Sequence, residues 1–161
     1  MKTTVTRFFL SFVLTASLCA SVLFGQAPST GQAKRPMTFM DVMEMANVGG
    51  ADISPDGKWA LYVKTTTDWK AAKRFSDIFV VSTEQGLPSN RQLTYTKDKN
   101  ETSPRWLHDG KSFVFLSNRE APETRSTMNQ LYWMRPDGGE AQKVTDAKEG
   151  VGTFAISKDG A

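Results

Sequence analysis

Short apolar runs separated by polar turn residues set the pattern of this chain. Trp59 to Val63 (WALYV), Ile78 to Val81 (IFVV), Phe113 to Leu116 (FVFL) and Leu131 to Met134 (LYWM) are rich in β-branched and aromatic residues. Residues of that kind fill a pleated, half-buried surface, and the runs predict strands. One stretch differs. Over Thr38 to Ala46, Phe39, Val42, Met43 and Ala46 fall on one helical face, and Thr38 stands three residues before Asp41 as a capping pair. The methionines at 37, 40, 43 and 45 read as packing residues, because Met fills irregular apolar gaps.

The runs recur. Asp56-Gly57, Asp109-Gly110 and Asp159-Gly160 stand 53 and 50 residues apart. Ile78–Val81 answers Leu131–Met134 at an interval of 53, and Arg91–Thr94 answers Gln142–Thr145 at 51. The unit is clearest from Arg91 to Arg119, where Leu93-Thr94, a polar linker, Ser103–Trp106, the Asp-Gly turn and a strand follow in order. Asp-Gly between apolar runs suits a tight hairpin, with Gly at positive φ and Asp tolerating such a conformation. An all-β unit of about 40–50 residues is the size of one propeller blade. The chain therefore reads as all-β: a partial β-propeller of two blades and the start of a third, preceded by a short helix. That helix is expected to pack on the propeller rim or on a neighbouring domain. Propellers close with roughly four to eight blades, so 37–161 is expected to be the first part of a longer propeller.

Residues 1–27 carry Lys2 and Arg7, an apolar run from Phe8 to Phe24, and small residues Gly25 and Ala27 flanking Gln26. This is the layout of a secretory signal peptide. The competing reading, an uncleaved anchor, meets a run of 17 residues at the short end for spanning a bilayer. Residues 28–36 (PSTGQAKRP) read as a disordered leader. Cleavage would leave an exported protein, periplasmic or extracellular, with no membrane attachment. It would also remove Cys19, the one cysteine, so the rest offers no disulfide or thiolate site.

The net charge of +3 falls to +1 without Lys2 and Arg7, leaving 18 basic against 17 acidic residues. Charges of both signs are interspersed, and no basic run tracks a phosphate backbone, so nucleic acid is not an expected partner.

Candidate chemistry is sparse. His108 is the sole histidine and takes the place of Pro55 and Lys158 in the repeat, a turn position. No serine lies in a Gly-x-Ser-x-Gly elbow, and no glycine-rich phosphate loop is present. Asp52, Asp56, Asp109, Asp137 and Asp159 follow the repeat, which assigns them to turn and hairpin hydrogen bonding. Gly49-Gly50 and Gly138-Gly139 read as pairs in turns. The expectation is no catalytic, cofactor-binding or metal-binding residue in this stretch, and no cofactor. Two polar connections between second and third strands, residues 65–75 (TTTDWKAAKRF) and 120–129 (EAPETRSTMN), are read as loops. They suit recognition or plain length variation.

The order MTFMDVMEM, VGGADISPDGKWALYV, TTDWKAAKRFSDIFVV and RQLT, behind a signal peptide, resembles the start of a secreted prolyl oligopeptidase-family serine peptidase. The likeness is to the acylaminoacyl-peptidase and dipeptidyl-peptidase branch and covers nearly all of 37–161. The SPDGK and SPRW..DGKSFVFLSNR elements are shared with TolB-like propellers, whereas the helix joined to SPDGKW and the Thr67-Asp68-Trp69 segment are more specific. The resemblance implies a propeller over a C-terminal α/β-hydrolase domain with a Ser-Asp-His triad acting on short peptides. That domain would be the propeller's own partner and peptides its substrates. No triad position falls within the chain, and no motif assigns Glu120 or Glu123 to a substrate amine. Two other readings stay open: a non-enzymatic periplasmic propeller that binds proteins, and a propeller fused to another hydrolase.

Overall fold

The computed structural model describes residues 35–157. The signal peptide at 1–27, most of the leader at 28–36 and the third Asp-Gly pair lie outside them. From Met37 onward the described residues form one compact unit. A short helix α1 (Phe39–Glu44) precedes eight strands: β1 (Asn47–Ile53), β2 (Trp59–Asp68), β3 (Lys73–Ser82), β4 (Gly86–Gln92), β5 (Glu101–Trp106), β6 (Phe113–Ser117), β7 (Gln130–Met134) and β8 (Gln142–Lys143). They build two four-stranded antiparallel sheets in the orders β1-β2-β3-β4 and β5-β6-β7-β8. These are the two expected blades. Residues 151–157 follow without a strand, Val151 N–H donating to the Asn129 carbonyl at 2.7 Å.

The core lies between the blades. On β2 and β3 alternate residues, Leu61, Val63, Ile78 and Val80, face the second sheet, which returns Trp106, Phe113, Phe115, Tyr132 and Met134. Period-two alternation gives β3 its regular succession of buried and half-buried positions. All five residues of β6 are buried, as befits a strand packed on both faces. Each large side chain so removed from water contributes about 1.5–3 kcal/mol. Phe113, Phe115 and Tyr132 form a ladder with ring centroids 5.7 and 5.9 Å apart.

The Asp-Gly turns repeat atom for atom. Gly57 N–H donates to the Ser54 carbonyl and Ser54 N–H to that of Trp59; Gly110 to Leu107 and Leu107 to Ser112 do the same. Gly57 and Gly110 hold φ of +73° and +64°, but neither Asp56 nor Asp109 is left-handed. Each aspartate instead accepts a backbone N–H two residues on, from Lys58 at 3.1 Å and from Lys111 at 2.9 Å. The hairpin is therefore wider than a two-residue turn, and aspartate is chosen for its side-chain acceptor.

Two further expectations need correction. Gly49-Gly50 is not in a turn. It forms a bulge within β1, where the register jumps between Gly49 and Asp52 and Gly50 takes φ +60°. The same jump between Thr102 and Arg105 puts Ser103, 53 residues later, at φ +53°. Asp52 is not a turn residue either. The bulge aims its carboxylate across the blades to accept from Trp106 N–H at 2.7 Å, while Trp106 Nε1–H donates to the Asp52 carbonyl at 3.2 Å. Finally, α1 has the expected capping box between Thr38 and Asp41, yet none of its side chains is buried. Of the two packing partners expected for it, the propeller rim does not bury its apolar face, and a neighbouring domain lies outside the described residues.

Candidate functional site

Antiparallel order fixes which connections share a face. The Asp-Gly turns and the β3–β4 and β7–β8 turns lie at one end of the strands. At the other, hereafter the loop face, lie α1, the β2–β3 turn, the 93–100 link, the 118–129 connection and the segment after β8.

On this face the two matching connections differ. Residues 65–75 are not a loop. β2 and β3 stay paired through Thr65↔Ser76, Thr66↔Phe75 and Thr67↔Arg74 to Asp68↔Lys73. Three threonines and a phenylalanine supply the β propensity. The tip turns at Trp69–Ala72, where Asp68 accepts from Lys70 and Ala71 N–H at 2.9 and 3.0 Å and Ala72 takes φ +50°. The second blade breaks its pairing at Ser117. Pro122 cannot donate to a ladder, and Glu123–Arg125 form a single 3-10 turn before β7. Between the two connections lies a polar groove of about 360 Å³, lined by Lys73, Arg74, Asn100, Asn118 and Asn129 among others. Val42 and Met43 of α1 and its C-cap Met45 line, with Trp69 and Ala72 of the hairpin tip, a second and more apolar groove of about 410 Å³.

A buried ionic group lies just beneath the loop face. Glu101, fully buried, accepts from Ser117 Oγ at 3.0 Å and from Arg119 Nη2 at 3.2 Å. The Arg119 guanidinium stacks 4.7 Å from the Tyr132 ring centre and 5.5 Å from that of Phe115. Among the described residues Glu101 Oε2 and the Tyr132 hydroxyl make no hydrogen bond. Burial, with the Glu120 carboxylate nearby, pushes the Tyr132 phenol up to about 12. In the first blade burial, then the charge of Glu101, raises the Asp77 carboxyl above the ordinary range.

The residues singled out from sequence are scattered. His108 is exposed in its turn, its Nε2 2.8 Å from the Ser157 carbonyl. Glu120 pairs with Lys143 at 3.1 Å, and Glu123 sits in the 3-10 turn. Asp137 pairs with Arg135 in the β7–β8 turn at 3.0 Å, which holds its carboxyl below the usual range. Asp56 is likewise lowered, first by the Ser54 hydroxyl at 2.6 Å. No described cluster of three or more His, Cys, Asp or Glu side chains could hold a metal ion. Glu101 and Arg119 were not singled out. A comparison of repeats points to both, since they stand 53 residues after Val48 and Thr66 and put charge where the first blade has none.

No family model matches the chain. It is 34% identical over 128 residues to the uncharacterised peptidase YuxL of Bacillus subtilis, covering 79% of this chain and 18% of that protein. It is 29% identical over 124 residues to dipeptidyl-peptidase 5 of Porphyromonas endodontalis, covering 77% and 17%. The β-propeller domain of the trilobed protease from Pyrococcus furiosus, described as having an open velcro topology, superposes with a TM-score of 0.50 at 21% identity, covering 65% of this chain and 29% of that one. This is a β-propeller segment of the kind found in peptidases. The chain spans less than one fifth of the length of these curated relatives.

Proposed function

We propose that this chain is the propeller portion of an exported serine peptidase that hydrolyses short peptides. In this reading a C-terminal α/β-hydrolase domain carries a Ser-Asp-His site. The serine attacks the peptide carbonyl, the histidine moves its proton, and backbone N–H groups stabilise the oxyanion. The propeller's part is to limit access to that site. The observation that carries the reading is the similarity, over more than three quarters of the chain, to two proteins named as peptidases. The blades themselves fit a gate. Glu101, Arg119 and Asp52 tie neighbouring elements rigidly from within, and the loop face presents grooves rather than a packed surface.

The test is to read the gene past Ala161 and to assay the encoded, exported protein on short and long peptides. A downstream Gly-x-Ser-x-Gly followed by Asp and His, with cleavage confined to short peptides, is the expected result. A stop codon after a few more repeats overturns the reading and leaves a protein-binding propeller. Clustered downstream histidines would instead mark a metal-dependent hydrolase.

A further inference from the structure

The polar groove between the two blades is one-sided in its chemistry. Its base is a chain of side-chain amides that ties the blades together. Asn100 Oδ1 accepts from Ser76 N–H of β3 at 3.0 Å, and Asn118 Oδ1 accepts from Asn100 N–H at 2.7 Å. A backbone N–H can only donate, so both amide oxygens are committed to the scaffold and both side chains are held in one orientation. Their NH2 groups are left over. That of Asn118 donates to the Ser126 carbonyl. That of Asn100, which lines the groove, has no acceptor among the described residues and is open to solvent.

The walls add donors and little that accepts. Side chains alternate along β3, and Arg74 shares the face of Ser76, Ile78 and Val80, toward the second blade. Across the groove stand Ser126 and Thr127, exposed, their hydroxyls without a hydrogen bond among the described residues. Lys73 and Arg74 likewise have no ion pair there. Asp98 is the acidic side chain in the lining, so two cations stand against one carboxylate and the balance is one positive charge.

That charge belongs to this seam and not to the repeat. Ser126 and Thr127 come 53 residues after Lys73 and Arg74, so the second blade has hydroxyls where the first has cations. Neither cation is needed to hold the hairpin, which pairs through its backbone and is locked at its tip by Asp68. Adjacent cations repel, and an anion seated beside them relieves the repulsion.

Donors with a surplus of one positive charge suit a carboxylate, which a guanidinium can bind through two parallel hydrogen bonds. A volume of about 360 Å³ exceeds what a lone ion fills and falls within the size of small-ligand clefts. We propose that the groove is a subsite for the terminal carboxylate of a peptide. Arg74 takes the carboxylate, the Asn100 amide and the hydroxyls of Ser126 and Thr127 donate to its oxygens, and Lys73 supplies charge at the edge. This rests on the reading above in one respect, that short peptides are the ligands. It adds a selective role for the propeller, which retains peptides with a free carboxylate over blocked ones.

The test is calorimetric titration of the full-length protein with tetra-alanine and with its C-terminal amide. The serine that a fluorophosphonate labels is replaced by alanine, which stops turnover without filling the site; protein with no such serine is used unchanged. The free acid is expected to bind about tenfold tighter than the amide, the scale of one charge-assisted hydrogen bond. Arg74→Gln removes that preference, Lys73→Ala reduces it by a smaller factor, and both variants keep the parent's melting temperature. The acid-to-amide ratio is taken within one protein, so partial unfolding of a variant does not imitate the effect. Equal binding of the two peptides by the parent overturns the proposal, as does a preference that survives Arg74→Gln. Inorganic phosphate binding as tightly as tetra-alanine also overturns it, since the groove would then be a site for free anions. Hydrolysis of the same peptides by the unsubstituted protein separates the two claims. Cleavage with no acid–amide difference in the titration sinks the subsite alone. An Arg74-dependent preference in a protein that cleaves neither peptide sinks the peptidase reading alone.

Discussion

The two blades share one backbone scheme and use it differently. Ile78 N–H donates to Thr94 Oγ1 at 2.9 Å in the first, and Leu131 N–H to Thr145 Oγ1 at 2.9 Å in the second. Both have the same bulge and the same Asp-Gly turn. The side chains on the face toward the preceding blade diverge. The second blade presents Phe115 and Tyr132 there, completely buried and capped by Arg119. The first presents Tyr62 and Phe79, stacked 5.5 Å apart with Lys64 over Phe79, and both stay half-buried. The difference teaches that the repeat specifies hydrogen bonds, while position along the propeller decides which faces become core.

The largest test of this contrast is Arg119→Ala. It strands the fully buried Glu101 carboxylate, and removing one partner of such a pair costs about 3–5 kcal/mol. A thermal-shift loss in the full-length protein is expected. A change no larger than that of Lys64→Ala would show that the second blade's ionic group is dispensable. Next comes the ring pair. Phe115→Ala costs about 3–5 kcal/mol. The account expects Tyr62→Ala to reach a similar loss in the full-length protein, where a closing blade covers that face. A loss under about 1 kcal/mol would mean the face stays open.

The bulges allow a finer comparison. A Cβ at Gly50 would come 3.2 Å from Val63 Cγ2 at a φ of +60°, so Gly50→Ala is expected to cost about 1–2 kcal/mol. Ser103 already bears that conformation, and Ser103→Gly is expected to return about 0.5–1 kcal/mol. Opposite signs in chemical denaturation support equivalence of the two bulges, and equal signs break it.

The smallest effect concerns Asp77, 53 residues before Gln130. Its carboxyl is held above the ordinary range by burial and then by Glu101. The folded state therefore favours the proton, and this contribution is full at low pH and lost as pH rises through the raised value. Asp77→Asn gives the first blade an amide where the second has one. Its melting temperature should match the parent at the acid end and exceed it slightly at pH 7. A deficit at pH 7 would contradict the assignment.

Much of this was legible from the chain. Asp-Gly recurrence, the paired apolar runs and the Thr38–Asp41 box gave the blades and the helix, because each is a local signal. The bulge was hidden, since Ser103 bears no mark of a left-handed residue and Gly49-Gly50 mimics a turn. The long hairpin was hidden by polar threonines that pair along a ladder instead of entering a core. Glu101 and Arg119 meet only when β5 and β6 align, a non-local event that needs the repeats superposed to be noticed. The exposed face of α1 was invisible for the opposite reason, because an apolar helical stripe looks the same whether or not its partner is at hand.

The most direct measurement is to treat the full-length exported protein with a fluorophosphonate that labels activated serines and to map the modified residue. The account predicts one labelled serine, downstream of the propeller, and blockage of peptide cleavage in proportion to labelling. Absence of labelling in protein that still cleaves peptides, or a label within residues 35–157, would contradict it.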